Sequence, residues 1–559
     1  MELIKNLKLE SIFVFVLIFS VLFVAAGSLL DHSLTHEFPF AYFASDSFMD
    51  QTTVAHVADV ENNNYYSFYT AYGYEDVFQS RPILLSQTAG MISKLFNIYP
   101  HDAVYIVILF SLVIIFLLVY CIIRRFNKKA AMLSIPFGLL MFKAPFNLVL
   151  LFGQWYFIMG VIYFIALLWI IGMDFKKNYL LLGLLFASSV FIHLPETFFV
   201  VFFAPFIFII NSLEKKKIDW KFIKCLIVAG LIGIILSSWF LFISSKTEIP
   251  AKTSEFEESP LFSFTIDTKM SARGFADVDL SNFGFYIIPL ILGFILFLFS
   301  KEALKNKGAI IGVITLIIGF MTYLNFEKRA FAHRWFWPVY FCIFIGITLV
   351  FLLKMIKKED IKLCFLVGVI AFIFMMFSIK IETNPGIMNS YDWEAMKWTW
   401  ADIPKEKPIY FLYGPPMVQR DNLANSKHIA YSWEMDDVRE KFSRNFNISE
   451  KFQFVINYNA NQALCKSDKG FGYYNKVKED GGVCEISKYP LLIEGMIKNK
   501  TLCEIEYLYL NYNTGNSQID SLNKYISSKL KQNQWISTIH QNQGVEILKN
   551  GNPGKECEL

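Results

Sequence analysis

Asp46 and Asp50, four residues apart in Ala44-Ser45-Asp46-Ser47-Phe48-Met49-Asp50, are the side chains best suited to chemistry in this sequence. A carboxylate beside an apolar segment can take a proton from an acceptor hydroxyl or amide, or ligate a hard divalent cation such as Mg or Mn. An ordinary reading stands beside that one: loop acids are common, and Asp46 would also serve as the cap of a helix starting near Ser47. His193 and Glu196 form a second candidate pair in Phe191-Ile192-His193-Leu194-Pro195-Glu196, between two apolar runs. Ionisable groups at such depth are costly unless they face a cavity or a partner, and a water-bonded interfacial pair would also satisfy them.

Arginine is scarce, nine residues against 52 Lys and Arg together, so an arginine on the acidic side of the chain is less apt to be incidental. Arg81, Arg273, Arg329 and Arg334 are the four there, and Glu327-Lys328-Arg329-Ala330-Phe331-Ala332-His333-Arg334-Trp335 is the densest cluster. Guanidinium groups grip phosphate through paired N–H donors, so Arg329, His333 and Arg334 suit a lipid-linked phosphate. Contact with ordinary lipid headgroups is the plainer alternative.

The elements that must position these residues are membrane helices. Of 559 residues 55% are hydrophobic and only 18% charged, with a mean hydropathy of +0.41. The apolar residues gather into runs near the ~20 residues that cross a bilayer core as a helix. The first, Ser11–Leu30, is long, and its Ala25-Ala26-Gly27 is followed by more Leu rather than by a polar mature start, so it reads as a retained span rather than a cleaved signal. Further runs at 103–123, 130–148, 155–172, 179–194, 197–211, 222–243, 284–300, 308–324, 336–353 and 363–380 give about eleven. Lys and Arg fall on alternate connectors, on the side of Lys5 and Lys8, which the positive-inside rule makes cytoplasmic. The acidic connectors and all six histidines of this half, His32, His36, His56, His101, His193 and His333, are then outside. The expectation is a multi-pass protein of the cell membrane with a cytoplasmic N-terminus.

Residues 1–380 read as the membrane domain, with outer loops at 31–101 and 244–283. In the first loop, Met49–Glu61 reads as a helix at the membrane surface, Tyr65–Tyr74 as an aromatic belt, and the stretch from Arg81-Pro82 to Phe96 as a second surface helix. The second loop suits either a lid or a plain linker. An odd span count places 381–559 outside as an α/β domain. Pro408–Tyr413, Phe452–Ile456, Glu504–Leu510 and Gly544–Leu548 read as strands, and Glu434–Asn445 and Ser517–Leu530 as helices. Cys465, Cys484, Cys503 and Cys557 suggest one or two disulfides, with Cys465–Cys484 favoured by proximity. Cys121, Cys225, Cys342 and Cys364 read as packing residues within the apolar runs.

Asp46-Ser47-Phe48-Met49-Asp50 on a first outer loop resembles the Asp-Ser-Tyr-Tyr-His element of the GT-C membrane glycosyltransferases, notably the oligosaccharyltransferase catalytic subunit. Arg81-Pro82 before a surface helix, the His193–Glu196 turn, the Arg329–Arg334 cluster and an outer C-terminal domain are similar to that family too. Asp50 stands where the family often has His, and the tail has no Trp-Trp-Asp-type motif, so the protein O-mannosyltransferase and aminoarabinose transferase branches fit as well. The resemblance implies transfer of a sugar from a polyprenyl-phosphate or -diphosphate carrier to a protein, lipid or glycan acceptor. Asp46 would be general base or metal ligand, helped by Asp50, His193 and Glu196, with Arg81, Arg273, Arg329, His333 and Arg334 on the phosphate. No nucleic-acid partner is expected. The rival reading is a non-enzymatic transporter or assembly factor for envelope polymers.

Overall fold

A computed structural model describes residues 2–42, 45–60, 83–144, 146–172, 178–193, 204–209, 211–213, 215–246, 287–288, 291, 295, 337–355, 360–379, 386–405, 407–412, 428, 430–433, 449–455, 497–514 and 517–554. The membrane part is helical. α1 is Glu2–Leu30, α2 Ser45–Val60, α3 Leu84–Phe96, α4 Pro100–Phe126, α5 Lys128–Ser134 and α6 Leu148–Leu151. α7 is Trp155–Gly172, α8 Tyr179–Ile192, α9 Trp220–Lys246, α10 Trp337–Met355 and α11 Ile361–Ser378.

Local chemistry sets the ends of α4. Pro100 needs no amide partner at the first turn, Asp102 faces the positive helix terminus, and Arg124-Arg125 complete the last turn. Asn127 then starts α5, its side chain accepting from the amides of Lys129 at 2.8 Å and Ala130 at 3.3 Å. The run expected to be one span at 130–148 is instead α5 followed by a 3-10 stretch, Ile135–Phe142. Pro136 cannot donate to an α ladder, and the tighter winding follows. Helix and 3-10 stretch together rise about 26 Å.

Four helices are long and apolar enough to cross a bilayer: Leu9–Leu30, Pro100–Phe126, Trp220–Phe242 and Ile361–Ser378. Trp155–Ile170, Tyr179–Ile192, Ala204–Leu213 and Pro338–Val350 are apolar but shorter, so the expected count of about eleven is not reached among the described residues. The runs expected at 284–300 and 308–324 lie almost wholly outside them. α8 and α9 run parallel: Gly183 meets Ala229 and Ile232, Gly233 meets Phe186, and the rings of Phe191 and Phe240 are 5.6 Å apart. The chain between these helices must therefore return to the end from which α8 began.

The spans are not wholly free of charge. Arg124 hydrogen-bonds the buried Glu10 between α4 and α1, and Tyr120 donates to the same carboxylate at 3.2 Å. This pair lies at the end of α4 that carries Arg124-Arg125. Of the cysteines in these helices, Cys342 and Cys364 are buried and Cys121 and Cys225 partly so, all four outside disulfides.

Beyond the last span, α12 (Ser390–Asp402) is capped by Asn389, whose side chain accepts from the amide of Asp392 at 3.0 Å. A mixed sheet follows, with strands β1 Ile409–Phe411, β2 Ala430–Trp433, β3 Phe452–Val455, β4 Ile497–Lys500, β5 Tyr507–Asn511, β6 Ile536–Gln541 and β7 Val545–Asn550. Its order is β4-β3-β2-β1-β5-β7-β6, parallel at β1–β2 and β1–β5. Alternate residues build two cores. Tyr410, Tyr431, Phe452, Leu508 and Leu548 meet α13 (Ser517–Leu530) through Ile526 and Leu530. Ile409, Phe411, Tyr509 and Ile547 meet α12 through Ala395 and Met396. The sheet is thus held between two helices, an α/β arrangement.

Cys503 is disulfide-bonded. Its partner and the favoured Cys465–Cys484 pair lie outside the described residues, as do Tyr65–Tyr74 and Glu434–Asn445. Glu546 ties the sheet to α13. Its buried carboxylate accepts from Ser527 at 2.5 Å, Thr538 at 2.6 Å, Lys531 at 2.9 Å, and Tyr512. Glu546→Ala would strand all four donors and is expected to cost about 3 kcal/mol. Urea unfolding of the full chain against wild type measures it.

Candidate active site at the heads of α2 and α4

α2 is not a helix resting on a surface, as its polar sequence suggested. Ser47, Phe48, Asp50, Gln51, Thr52, Thr53, Val54 and Val57 are all buried. α3 packs so closely on it that a Cβ on Gly90 would sit 2.8 Å from Val57 Cγ1. Asp46 lies in the first turn, so it is not the cap of a later helix; its side chain is outside the described set. Asp50, one turn on, is only 1% exposed.

An aromatic cluster stands within electrostatic reach of this carboxylate. Tyr42 stands at the centre, its ring centroid 5.2 Å from Phe48, 5.3 Å from Tyr105 and 5.1 Å from Trp155. Burial, and then the negative potential of Tyr105, Asp102 and Asp50, push the Tyr42 phenol well above its usual range. It remains a neutral donor and bonds the carbonyl of His101 at 3.1 Å. Gly153, just before α7, closes the head of α2 with φ at +74° and a Cβ direction ending 2.4 Å from the amide nitrogen of Ser47.

A second cluster at the head of α4 adjoins the first through Tyr42. Asp102, 1% exposed, accepts from the amide of His36 at 3.0 Å, with His36 Nδ1 3.4 Å from its other oxygen. His101 donates through Nε2 to the carbonyl of His36 at 3.0 Å, which fixes the ring's tautomer. Its ring stacks on Tyr99 at 5.1 Å and meets the edge of Trp393 from α12 at 5.6 Å. The neighbouring Asp392 is pushed up by burial to about 7, against the bond from Asn389, and accepts from Asn511 at 2.6 Å.

Of the residues singled out in the sequence, the structure brings Asp50 and the head of α2 into this pole. His193 ends α8 there, half-buried, its amide bonded to Ser189 O at 2.8 Å and its ring 6.0 Å from Phe157. Phe157 is two residues along α7 from Trp155, which touches Tyr42. Glu196, Arg81, Arg273, Arg329, His333 and Arg334 lie outside the described residues. Among the described residues no group of three His, Cys, Asp or Glu side chains could hold a metal ion. The sequence reading passed over Tyr42, Gly153 and Trp393. Asp102 fell just before the run at 103–123, although Pro100-His101-Asp102 is a helix-start signal with an acid at its head.

No family model matches the sequence, and no curated protein matches it significantly. Solved structures do match. ArnT from Cupriavidus metallidurans, in a structure bound to undecaprenyl phosphate, aligns over 96% of this chain and 97% of its own, with a TM-score of 0.53 and 10% identity. The apo oligosaccharyltransferase of Archaeoglobus fulgidus aligns over 91% and 72%, again at 0.53 and 10%. Mycobacterial arabinofuranosyltransferase AftD aligns over 97% of this chain but 40% of its own, at 0.52 and 12%. The chain shares its fold with these three proteins.

Proposed function

We propose that the protein is a membrane glycosyltransferase that moves a sugar from a polyprenyl-phosphate or polyprenyl-diphosphate carrier to an acceptor on the outer face. The observation that carries this reading is the buried Asp50, one turn from Asp46, at the head of a helix walled in by aromatic rings. The fold shared nearly end to end with ArnT, whose structure holds undecaprenyl phosphate, supports the carrier class. The acceptor's nucleophile attacks the anomeric carbon, the bond from that carbon to the phosphate oxygen breaks, and the electron pair leaves with the phosphate. Asp46 takes the nucleophile's proton, with Asp50, His193 and Glu196 orienting the acceptor. Arg329 and Arg334, with His333, Arg81 and Arg273, offset the charge growing on the phosphate.

Two carboxylates one turn apart supply hard oxygen donors that suit Mg or Mn in kind. Asp46 and Asp50 would hold such an ion, which would supply Lewis acidity toward the phosphate. The transporter reading calls for ionisable or Gly/Pro-broken segments at mid-membrane depth. Among the described residues, the broken crossing of α5 and its 3-10 stretch is filled by Ile135, Leu139 and Phe142.

The test is Asp46→Asn and Arg329→Ala in cells, with envelope proteins and lipids profiled for glycans. Both variants, expressed at wild-type level, are expected to lose one product; unchanged profiles would sink the reading. In purified membranes, a chelator separates the two roles of Asp46. Loss reversed by Mg or Mn assigns a metal ligand, and undiminished transfer assigns a general base.

A further inference from the structure

The chain from His36 to Tyr42 leads straight into α2, and it is held from two directions. On one side stands the head of α4. Asp102 takes the amide of His36, His101 takes its carbonyl, and Tyr105 donates to the carbonyl of Phe40 at 3.0 Å. Tyr42 returns a bond to the carbonyl of His101. On the other side runs the connection between α11 and α12, whose Ile387 amide donates to the carbonyl of Tyr42 at 2.8 Å. Gly386, at φ +91°, approaches so closely that a Cβ there would lie 2.6 Å from Tyr42 O and 2.7 Å from Tyr42 N.

This much bonding to one short connection has a physical cause. Ala41 within it, and Asp31 and His32 just upstream, sit at positive φ, a region that costs a residue with a side chain roughly 1–2 kcal/mol. A loop so strained keeps one shape only where its surroundings over-determine it. Two of the constraints, Gly386-Ile387 and Trp393, belong to the stretch that carries the C-terminal domain. A tail that was only a passenger would need no bond to the backbone at the entry to α2.

We infer that Asp102, Gly386 and Trp393 are positioning residues: they clamp the loop before α2 between α4 and the C-terminal domain, so that the seating of that domain sets where the α2 carboxylates stand. The inference rests on the proposed reaction for its catalytic consequence but not for its structural one. Its test uses the full-length protein in nanodiscs, with Asp102→Asn, Gly386→Ala, Trp393→Leu and Trp393→Phe. Hydrogen exchange at the α2 amides of Met49–Ala58 is read beside the kcat and donor KM of transfer. Asp102→Asn, Gly386→Ala and Trp393→Leu are expected to speed α2 exchange. They should lower kcat about 10–100-fold, because a shift of ~1 Å at a reacting group costs about that much, with KM within about twofold. Trp393→Phe keeps a ring against His101 and is expected to recover most of both. Unchanged α2 exchange would overturn the inference. So would a fall in kcat that comes only with a lowered Tm of the whole protein and is not recovered by the Phe variant. Should Asp46→Asn transfer as well as wild type, the proposed reaction fails, and α2 exchange still judges the clamp.

Discussion

Asp50→Asn is expected to reduce transfer by about 10²-fold, the cost of misplacing a reacting group by ~1 Å, and to leave the protein folded. The two halves of that result have separate causes. Asp50 is 1% exposed and within electrostatic reach of Tyr42, at a depth where a carboxylate's charge acts strongly on its surroundings. Asn keeps the shape and removes the charge, so the helix loses its electrostatic action without losing its packing. Thermal unfolding in detergent measured beside transfer checks both. Inactivity with an unchanged Tm supports the proposed role, whereas inactivity with a collapsed Tm would make Asp50 a structural residue.

Gly153→Ala should be as damaging to the same helix. The residue sits at φ +74°, and its missing Cβ points at backbone atoms, 2.4 Å from Ser47 N and 2.8 Å from Ser47 Cα. Backbone cannot rotate out of the way as a flexible side chain can. The left-handed conformation costs an alanine roughly 1–2 kcal/mol, and overpacking adds about 1–3 kcal/mol. Relief comes only by moving the turn before α7 or the first turn of α2, and α2 carries Asp46 in that turn. Loss of transfer beyond about 100-fold, together with a lower Tm, is the expected result. A fully active Gly153→Ala protein would show that the head of α2 has freedom the structure denies it.

The sequence reading reached α2, α3 and α13 because each carries a helical periodicity or sits between clear breakers. It reached β1, β3, β5 and β7 because they alternate or are enriched in β-branched and aromatic residues. β2 escaped because Ala430, Tyr431, Ser432 and Trp433 are all buried, so no alternation marks the strand. β6 escaped because it is a mostly polar edge with a register shift between Thr538 and His540. α12 escaped although Asn389 and Asp392 form a legible start, since two of the residues it buries, Asp392 and Thr399, are polar. In the candidate site, the spacing of Asp46 and Asp50 was local and readable. The contacts that fix them were not: Gly153 on Ser47, Gly386 on Tyr42 and Trp393 on His101 join positions remote in the chain, and glycine contributes there by having no side chain at all.

The parallel pairing of α8 and α9 bears on traffic through the bundle. A methyl group on Gly183 would meet Ile232 at 2.6 Å and the carbonyl of Ala229 at 3.1 Å, and one on Gly233 would meet Phe186 at 2.9 Å. Small residues let the two backbones touch, as they commonly do between helices in a bilayer. A seam with no room for a methyl group has none for an isoprenoid chain. Any lipid-borne substrate must therefore reach the aromatic pole along some other wall of the bundle, and the α8–α9 face works as a closed door.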